Sequence, residues 1–263
     1  MMWKIPQVSE TAYDLSGPRD APVIVFIHGL GLSRRLWDSH LPAFKNFRIL
    51  NYDLFGHGDS GVAPNAMTLG RYAQQLADLL TDRQIEKAHI IGFSIGGMIN
   101  RRFAIDFPDK VASLVILNSP HNRGEEAQIA VEGRAIAARD QGAFATLEAA
   151  ITRWFTPDYL RNDDAAQSVR NWRKDVDPNG YAQAAWVLAN GVRELIAPSK
   201  AITAPTLVMT CENDSGSTPA MSYAIAKEIE GAVVIIVPCL QHLGLLEQPS
   251  SFTTPILNFL DQI

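Results

Sequence analysis

A serine lies at the centre of the pentapeptide Gly92-Phe93-Ser94-Ile95-Gly96, in which both outer positions are glycine. A short apolar run, residues 88–93, leads into this serine, and a helical pattern over residues 95–107 follows it. A serine on a sharp strand-to-helix turn is lifted out of the sheet, and the residues two positions away must be small to avoid collision. The pattern therefore predicts that Ser94 is a nucleophile for acyl transfer.

A hydroxyl nucleophile needs a base, and histidine serves best near neutral pH. The sequence contains six histidines, at His28, His40, His57, His89, His121 and His242. His242 follows the last apolar run, where a parallel sheet places its chemistry, and it falls late in the chain, so we predict that it is the base. His89 lies within a predicted strand and is interpreted as structural. His28 and His57 lie in loops that could shape the site.

An acid that orients the histidine should follow an earlier strand. Glu212 and Asp214 both come shortly after the apolar run 206–210. The alternative location, after the run 114–117, carries Asn118-Ser119-Pro120 and no carboxylate. The order of the elements alone leaves Glu212 and Asp214 both open as the acid.

The tetrapeptide His28-Gly29-Leu30-Gly31, here called the oxyanion loop, follows the apolar run 23–27 directly. Acyl transfer builds negative charge on the former carbonyl oxygen, and two preorganised backbone N–H groups can hold that charge. We predict that the N–H groups of Leu30 and Ile95 do so. The two glycines would let the backbone approach the substrate closely.

Short apolar runs alternate with helical patterns along most of the chain, which predicts a mostly parallel sheet covered by helices on both faces. The predicted strands are residues 23–27, 47–51, 88–93, 114–117, 206–209 and 233–237. The predicted helices outside the middle of the chain are residues 68–80, 95–107, 219–229 and 250–260, with Thr218 capping the third.

Residues 120–198 break this alternation, because they contain no convincing strand. Helical patterns cover residues 129–139, 143–154 and 181–195 instead, and three of the five tryptophans lie here: Trp154, Trp172 and Trp186. We predict that this segment is a helical cap, inserted after the strand that ends near Leu117. Residues 1–119 and 199–263 would then form one core domain, and the cap would line the pocket.

The composition excludes several classes of function. The chain has 263 residues, 47% of them hydrophobic, and a formal net charge of -5 without a basic stripe, which argues against nucleic-acid binding. No apolar run is long enough to span a bilayer, and Met1–Gln7 lacks the apolar core of a signal peptide, so a cytoplasmic protein is expected. Cys211 and Cys239 are expected to be free thiols, and neither has a partner at zinc spacing, so no metal is predicted.

Together these motifs resemble the α/β-hydrolase superfamily over nearly the whole chain outside the cap. Residues 53–60 match its D-x-x-G-x-G-x-S segment, residues 205–214 its acid-bearing segment, and residues 242–249 its histidine loop, in which Glu247 is expected to be structural. The resemblance favours Asp214 over Glu212 as the acid. Cys211 and Gln241 stand where such proteins often have glycine, which puts the geometry of those two loops in question.

The resemblance implies an α/β-hydrolase fold and a serine hydrolase similar to small carboxylesterases and 3-oxoadipate enol-lactonases. The substrate would be a small ester or lactone, the reaction would pass through an acyl-enzyme, and no cofactor would be needed. The cap aromatic residues predict an apolar or aromatic pocket. The candidates for substrate binding are His28, Gly29, Phe93, Trp154 and Trp186, with Phe144 and Phe155 as further cap aromatics.

Two alternatives remain open at this level, since fold and triad do not select a substrate. The same triad could hydrolyse a carbon–carbon bond in ring-cleavage dienoates, or the fold could serve a receptor that binds a ligand without turning it over. An acidic substrate would need a fixed cation. The candidates for that cation are Arg34, Arg35, Arg123, Arg134 and Arg153. A homo-oligomer is also left open.

Overall fold

The computed structural model describes residues 11–62, 66–162 and 165–263, so the N-terminal Met1–Gln7 considered above lies outside the described residues. A seven-stranded sheet crosses the molecule in the order β1-β3-β2-β4-β5-β6-β7. Its strands are β1 (Tyr13–Ser16), β2 (Val23–Ile27), β3 (Arg48–Tyr52), β4 (Ala88–Phe93), β5 (Val111–Leu117), β6 (Thr206–Cys211) and β7 (Val233–Val237). The six strands predicted from apolar runs are all present and run parallel to one another.

The sequence did not predict β1, which pairs antiparallel with β3 at the edge of the sheet. Its residues Tyr13-Asp14-Leu15-Ser16 alternate between half-buried and exposed positions. A half-buried edge strand of four residues carries no continuous apolar run, which is the signal that identified the other strands.

The chain reverses its direction of travel across the sheet between β2 and β4. From β2 it moves outward to β3, and it then returns past β2 to form β4 on the other side. The carboxyl ends of β2 and β4 are neighbours, since Ile27 pairs with Gly92. Such a switch point opens a crevice above the sheet, and both the oxyanion loop and Ser94 begin there.

Helices cover both faces of the sheet. The core-domain helices are α1 (Leu69–Asp82), α2 (Ile95–Asp106), α8 (Pro219–Lys227), α9 (Gly244–Glu247) and α10 (Ser250–Leu260). Alternate residues of β2 point to opposite faces, so Val25 packs with α1, α2 and α8, whereas Phe26 packs with α10 and with a 3-10 helix at Arg34–Trp37. Thr218 caps α8 as predicted, because its side chain accepts a hydrogen bond from the N–H of Met221.

Among the described residues, five helices lie between β5 and β6, in the segment predicted to be the cap: α3 (Glu125–Gln141), α4 (Leu147–Trp154), α5 (Pro157–Asn162), α6 (Ala165–Lys174) and α7 (Pro178–Asn190). α3 and α7 enclose a small apolar cluster of their own, which includes Val131, Ala135 and Ala185. The sequence missed α5 and α6. It also extended the last cap helix to residue 195, where the structure has a separate 3-10 turn at Gly191–Leu195.

Both cysteines are free thiols, with Cys211 buried at the end of β6 and Cys239 exposed. Burial raises the pKa of the Cys211 thiol to about 12, so this side chain behaves as a small apolar group. Within the described ranges, no helix combines the length and the apolar character that a membrane crossing requires.

Candidate active site

Ser94 occupies the turn between β4 and α2, with a φ of 57° and a ψ of -115°. A positive φ is strained for a residue with a side chain, and such strain persists only where the surroundings enforce it. Hydrogen bonds fix the turn on both sides: the N–H of Ser94 donates to Leu117, and its carbonyl accepts from Gly97 and Met98. The side chain lines the cavity above the sheet.

Gly92 and Gly96 flank this turn and leave no room for a side chain. A Cβ on Gly92 would lie 2.2 Å from the carbonyl oxygen of Gly96, and a Cβ on Gly96 would lie 2.4 Å from the carbonyl oxygen of Ile27. Both obstacles are backbone atoms, which cannot move aside as a flexible side chain would. The small residues expected around Ser94 are therefore required by the packing of β2, β4 and α2.

His242 and Asp214 meet at the carboxyl end of the sheet. The Nδ1 atom of His242 lies 2.6 Å from Oδ2 of Asp214, although the two residues come from loops that follow different strands. With Nδ1 engaged by a carboxylate, Nε2 is the ring atom left to exchange a proton with a nucleophile. His242 and Ser94 line the same cavity.

The carboxylate of Asp214 is buried and saturated with donors. The Asn118 side-chain amide donates to Oδ2 at 2.9 Å, and the backbone N–H groups of Gly216 and Ser217 each donate to Oδ1 at 2.9 Å. Burial alone would raise the pKa of Asp214, but His242, Asn118 and Ser217 together hold it below its usual value of 3.8. Asp214 is therefore an anion throughout the neutral range.

Glu212, the other carboxylate considered for the acid, has a different partner. It is exposed, and its Oε2 accepts a hydrogen bond of 2.9 Å from the N–H of Cys239. The geometry thus pairs His242 with Asp214 and gives Glu212 a role in holding the loop after β7.

Two aromatic rings contact His242. The ring of Phe93 lies 4.9 Å from the imidazole, and the ring of Trp154 lies 6.0 Å from it, measured between centroids. Both rings also line the cavity, and a role of Phe93 and Trp154 in substrate binding stays a prediction. The cap and the histidine loop are joined directly, because the N–H of Leu243 donates to the carbonyl of Trp154 at 2.8 Å.

Glu247 ties the histidine loop to the cap. Its carboxylate accepts hydrogen bonds from the backbone N–H of Thr156 at 2.8 Å and from the hydroxyl of Thr156 at 2.6 Å. It takes no part in the cavity lining, so its role is structural, as the sequence suggested.

The oxyanion loop supplies one end of the cavity. Gly29 and Leu30 line it next to Ser94, and Ile95 is the first residue of α2. The N–H groups in the first turn of a helix have no partner within the helix, and they carry the positive end of its dipole. Leu30 lines the cavity and Ile95 follows Ser94 directly, and the use of their N–H groups as oxyanion donors stays a prediction.

His28 does not line the cavity, which corrects its prediction as a substrate-binding residue. It is the first residue of the oxyanion loop, and it is fully buried. Its Nδ1 lies 2.8 Å from the carbonyl oxygen of Gly29, and its Nε2 accepts from the N–H of Leu54 at 3.0 Å. Burial is the main reason that the pKa of His28 falls to about 4. The residue fixes the shape of the loop.

Trp186 also fails to reach the cavity. Its side chain is 49% exposed on the outer face of α7. Three other residues of the same helix, Tyr181, Ala185 and Leu188, turn toward the cavity. Each step along a helix rotates the side chain by about 100°, which takes Trp186 off the face that Tyr181, Ala185 and Leu188 share. The sequence showed the helix but gave no clear apolar periodicity from which to orient it.

The cavity holds about 280 Å³ and lies between the carboxyl end of the sheet and the cap. Of the five arginines considered as a fixed cation, Arg123, Arg134 and Arg153 line it, and all three belong to the cap. Arg34 does not, because Asp14, Asp53 and Asp59 engage it. Arg35 lies exposed outside the cavity.

Asn118 and Arg101 are residues that the sequence did not single out. Asn118 adopts a positive φ of 45° at the end of β5, where it reaches Asp214. Arg101 is buried in α2, and its guanidinium donates to the carbonyl oxygens of Gly97 at 3.0 Å and Pro120 at 2.7 Å. It thus connects the helix that follows Ser94 to the first residue of the cap. No signal in the sequence identified it, because α2 also carries the polar residues Asn100, Arg102 and Asp106.

Residues 24–253 match the sequence model of the alpha/beta hydrolase family. Among curated proteins, the chain is 31% identical to 3-oxoadipate enol-lactonase 1 of Acinetobacter baylyi, over 95% of this chain and 92% of that protein. It is 28% identical to 3-oxoadipate enol-lactonase 2 of the same organism, over 91% of this chain and 89% of that protein.

Solved structures of an enol-lactonase and an esterase are also similar to this chain. The enol-lactonase of Burkholderia xenovorans superposes with a TM-score of 0.86 at 27% identity, covering 95% of this chain and 96% of that one. A thermophilic esterase from Thermogutta terrifontis superposes with a TM-score of 0.85 at 27% identity, covering 96% of this chain and 93% of that one.

Proposed function

This chain belongs to the alpha/beta hydrolase family, and on that premise we propose that it is a serine hydrolase that cleaves a carboxylic ester or lactone. The observation that carries the proposal is the 2.6 Å contact between His242 Nδ1 and Asp214 Oδ2, next to a serine on a strained turn in the same cavity. A nucleophile, a base and an orienting acid are the groups that acyl transfer requires.

In the first step, Ser94 Oγ attacks the substrate carbonyl and His242 Nε2 accepts the hydroxyl proton. Asp214 keeps the other proton of the ring on Nδ1 and stabilises the imidazolium that forms. The low pKa of Asp214 suits this role, because an ionised carboxylate opposite the ring favours the positive charge.

The carbonyl oxygen becomes negatively charged in this step. The backbone N–H groups of Leu30 and Ile95 would hold it, and the amino end of α2 adds a favourable dipole. Because these donors are fixed by the oxyanion loop and the helix, they need no reorganisation as the charge develops.

The tetrahedral intermediate then collapses. His242 gives its proton to the leaving alkoxide, which departs as an alcohol from an ester or stays attached as a hydroxyl group from a lactone. Water, deprotonated by His242, attacks the acyl-enzyme, and the second intermediate releases the acid and restores Ser94. The chemistry calls for no metal or organic cofactor.

A small substrate with an apolar part fits the cavity. The volume of about 280 Å³ admits a small molecule only, and Trp154 and Phe93 offer ring surfaces beside His242. The enol-lactonases and the esterase among the similar proteins support a lactone or an ester as the reacting group. The composition predicts a cytoplasmic protein that binds neither nucleic acid nor membranes, and both remain predictions. A homo-oligomer is still left open.

The test is hydrolysis of a panel of p-nitrophenyl esters and small lactones by the wild type and by Ser94→Ala. We expect the wild type to turn over short-chain members and Ser94→Ala to lose roughly 10⁴-fold or more in kcat. Turnover of a ring-cleavage dienoate without turnover of esters would favour carbon–carbon hydrolysis instead. Binding of panel members without any turnover would favour the receptor alternative.

A further inference from the structure

One buried arginine, Arg173, lies between the cap and the oxyanion loop. It belongs to α6, and only 1% of its surface is exposed. Within residues 11–62, 66–162 and 165–263 it forms no ion pair, whereas Arg170 on the same helix pairs with Glu148 at 2.7 Å. Taking a charge out of water without a counter-charge is costly, so such a group persists only where other contacts offset the cost.

Three groups without charge surround the Arg173 guanidinium. Its Nη1 donates to the carbonyl oxygen of Ala143 at 2.8 Å, and its Cζ lies 4.2 Å from the centre of the Tyr181 ring. Its Nε donates to the carbonyl oxygen of Gly31, the last residue of the oxyanion loop, at 3.3 Å. Burial lowers the pKa of Arg173 and Tyr181 partly offsets this, but a guanidinium stays charged at neutral pH. A full positive charge is therefore directed at the loop.

Gly31 leaves the space that this contact needs. Its φ is 69°, and a Cβ at this position would lie 2.4 Å from the guanidinium of Arg173. The guanidinium thus packs directly against the backbone of the oxyanion loop. A larger residue at position 31 would push the cap arginine away from the carbonyl that it binds.

The contact at Gly31 continues along the loop through two peptide units. The carbonyl of Gly31 and the N–H of Leu32 belong to one planar peptide. That N–H donates to the carbonyl of Gly29 at 3.2 Å, and the same peptide as the Gly29 carbonyl carries the N–H of Leu30. The C=O and N–H of a trans peptide point in opposite directions. The charge of Arg173 therefore lies at one end of a hydrogen-bonded row, and the Leu30 N–H lies at the other.

The Leu30 N–H is the open end of this row. No described residue accepts a hydrogen bond from it, and Leu30 lines the cavity. The carbonyl of Gly29 is also held by Nδ1 of His28 at 2.8 Å, which carries the ring proton because Nε2 accepts from Leu54. Hydrogen bonds in a row polarise one another, so each donor to the Gly29 carbonyl strengthens the Leu30 N–H as a donor.

We propose that Arg173 is a positioning residue for hydrolysis, which holds the peptide that carries the Leu30 N–H and strengthens this N–H as a donor to the oxyanion. The inference rests on the proposed function, in which the Leu30 N–H binds the oxyanion. Arg173 does not line the cavity, so it acts through the loop and not on the substrate. Because Arg173 belongs to α6, the cap then contributes to the rate of the reaction as well as to the wall of the cavity.

Arg173→Met tests this role, because it removes the charge and the donors but keeps an unbranched side chain. On p-nitrophenyl acetate we expect kcat to fall roughly tenfold with little change in KM, less than the roughly hundredfold or greater loss expected when an oxyanion donor itself is removed. Rates are calculated per site titrated with a fluorophosphonate, so unfolded protein lowers the number of sites and not kcat. Arg173→Lys, which restores a positively charged donor, should recover part of the lost kcat.

A thiono substrate separates an effect on the oxyanion from a general loss of structure. p-Nitrophenyl acetate and its thiono analogue differ only in a carbonyl oxygen or sulfur, and sulfur is the weaker hydrogen-bond acceptor. Arg173→Met should therefore lose less kcat/KM on the thiono ester, so that the wild-type preference for the oxygen ester falls severalfold. Equal losses on the two esters would overturn the inference.

Arg170→Met is the matched control, because Arg170 lies on the same helix, pairs with Glu148 and does not line the cavity. It should keep the wild-type kcat and the wild-type preference. If Arg173→Met gives too few titratable sites, Arg173→Gln replaces it with the same expectations, since an amide also removes the charge but keeps a donor in the buried site.

Two further outcomes distinguish this inference from the proposed function. An unchanged kcat in Arg173→Met, beside a wild type that is active through Ser94, would overturn the inference and leave the hydrolase function standing. A wild type that turns over neither p-nitrophenyl acetate nor any other member of the panel would overturn the proposed function, and this inference with it.

Discussion

The side-chain amide of Asn118 donates a 2.9 Å hydrogen bond to Oδ2 of Asp214, the same oxygen that contacts His242. Asn118 lies at the end of β5, and Asp214 lies in the loop after the neighbouring strand β6. The carboxylate of Asp214, which we propose as the orienting acid, is thus itself held from the adjacent strand. Asn118 is a positioning residue in this account, since it acts on the histidine only through Asp214.

Replacing Asn118 with glycine should lower kcat by roughly tenfold to a hundredfold, because a hydrogen bond to a charged group contributes on that scale. KM should change little, since Asn118 does not line the cavity. Glycine tolerates the positive φ at this position, so the variant removes the amide without adding backbone strain. Steady-state kinetics that show a raised KM with an unchanged kcat would contradict the positioning role.

The identity of the acid can be tested with a pair of neighbouring carboxylates. Asp214→Asn should lower kcat by roughly 10⁴-fold, because an amide opposite Nδ1 no longer selects the required tautomer of His242. Glu212→Gln is the control and should behave like the wild type, since Glu212 is exposed and contacts Cys239 rather than the histidine. A larger loss of kcat in Glu212→Gln than in Asp214→Asn would instead identify Glu212 as the acid.

The turn at Ser94 should be intolerant of any side chain at Gly92. Gly92→Ala places a Cβ against the backbone of Gly96, so we expect a loss of about 1–3 kcal/mol in the free energy of unfolding. Gly133→Ala is the matched control, because a Cβ on this α3 residue meets no atom within 4 Å. That variant should gain about 0.5–1 kcal/mol. Chemical denaturation measures both, and equal stabilities would contradict the packing argument.

Stability should fall as the pH drops below about 6.5, the usual pKa of histidine. Burial lowers the pKa of His28 to about 4, and burial together with the neighbouring His28 lowers that of His57 to about 3. Between 6.5 and these values the unfolded chain binds protons that the folded chain does not. Each of the two histidines then costs up to about 1.4 kcal/mol per pH unit.

His57→Gln should flatten this dependence, since it removes one of three buried imidazoles with a strongly lowered pKa, those of His28, His40 and His57. Urea unfolding of the wild type and the variant between pH 7 and pH 4 measures the difference in slope. The loss of stability due to His28 and His57 should be complete near pH 3, because both residues are then protonated in the folded protein as well. Identical slopes for the two proteins would mean that His57 is not buried in its neutral form.

The sequence was most informative where one local pattern has one structural solution. Continuous apolar runs identified the six parallel strands, and the small residues around Ser94 identified the turn that packs against β2. Asp214 and Glu212 could not be separated locally, because their distinction depends on where His242 and Asn118 arrive from other strands.

The cap was predicted as a helical segment, but its details lay beyond local patterns. α6 is short and mainly polar, so no apolar run marks it in the sequence. Which arginine faces the cavity depends on the rotation of α3 and α4, and the misassigned Trp186 shows the same difficulty on α7. Residues such as Arg101 are recognised only once their distant carbonyl partners are known.

The most direct test of the account is to locate the adduct of a fluorophosphonate probe by peptide mass spectrometry. The account predicts one adduct, on Ser94 of the wild type, that is absent from Ser94→Ala and present in Ser119→Ala, whose buried hydroxyl lies against Arg101. Labelling that persists in Ser94→Ala, an adduct on another residue, or a wild type that does not react would contradict the assignment of Ser94 as the nucleophile.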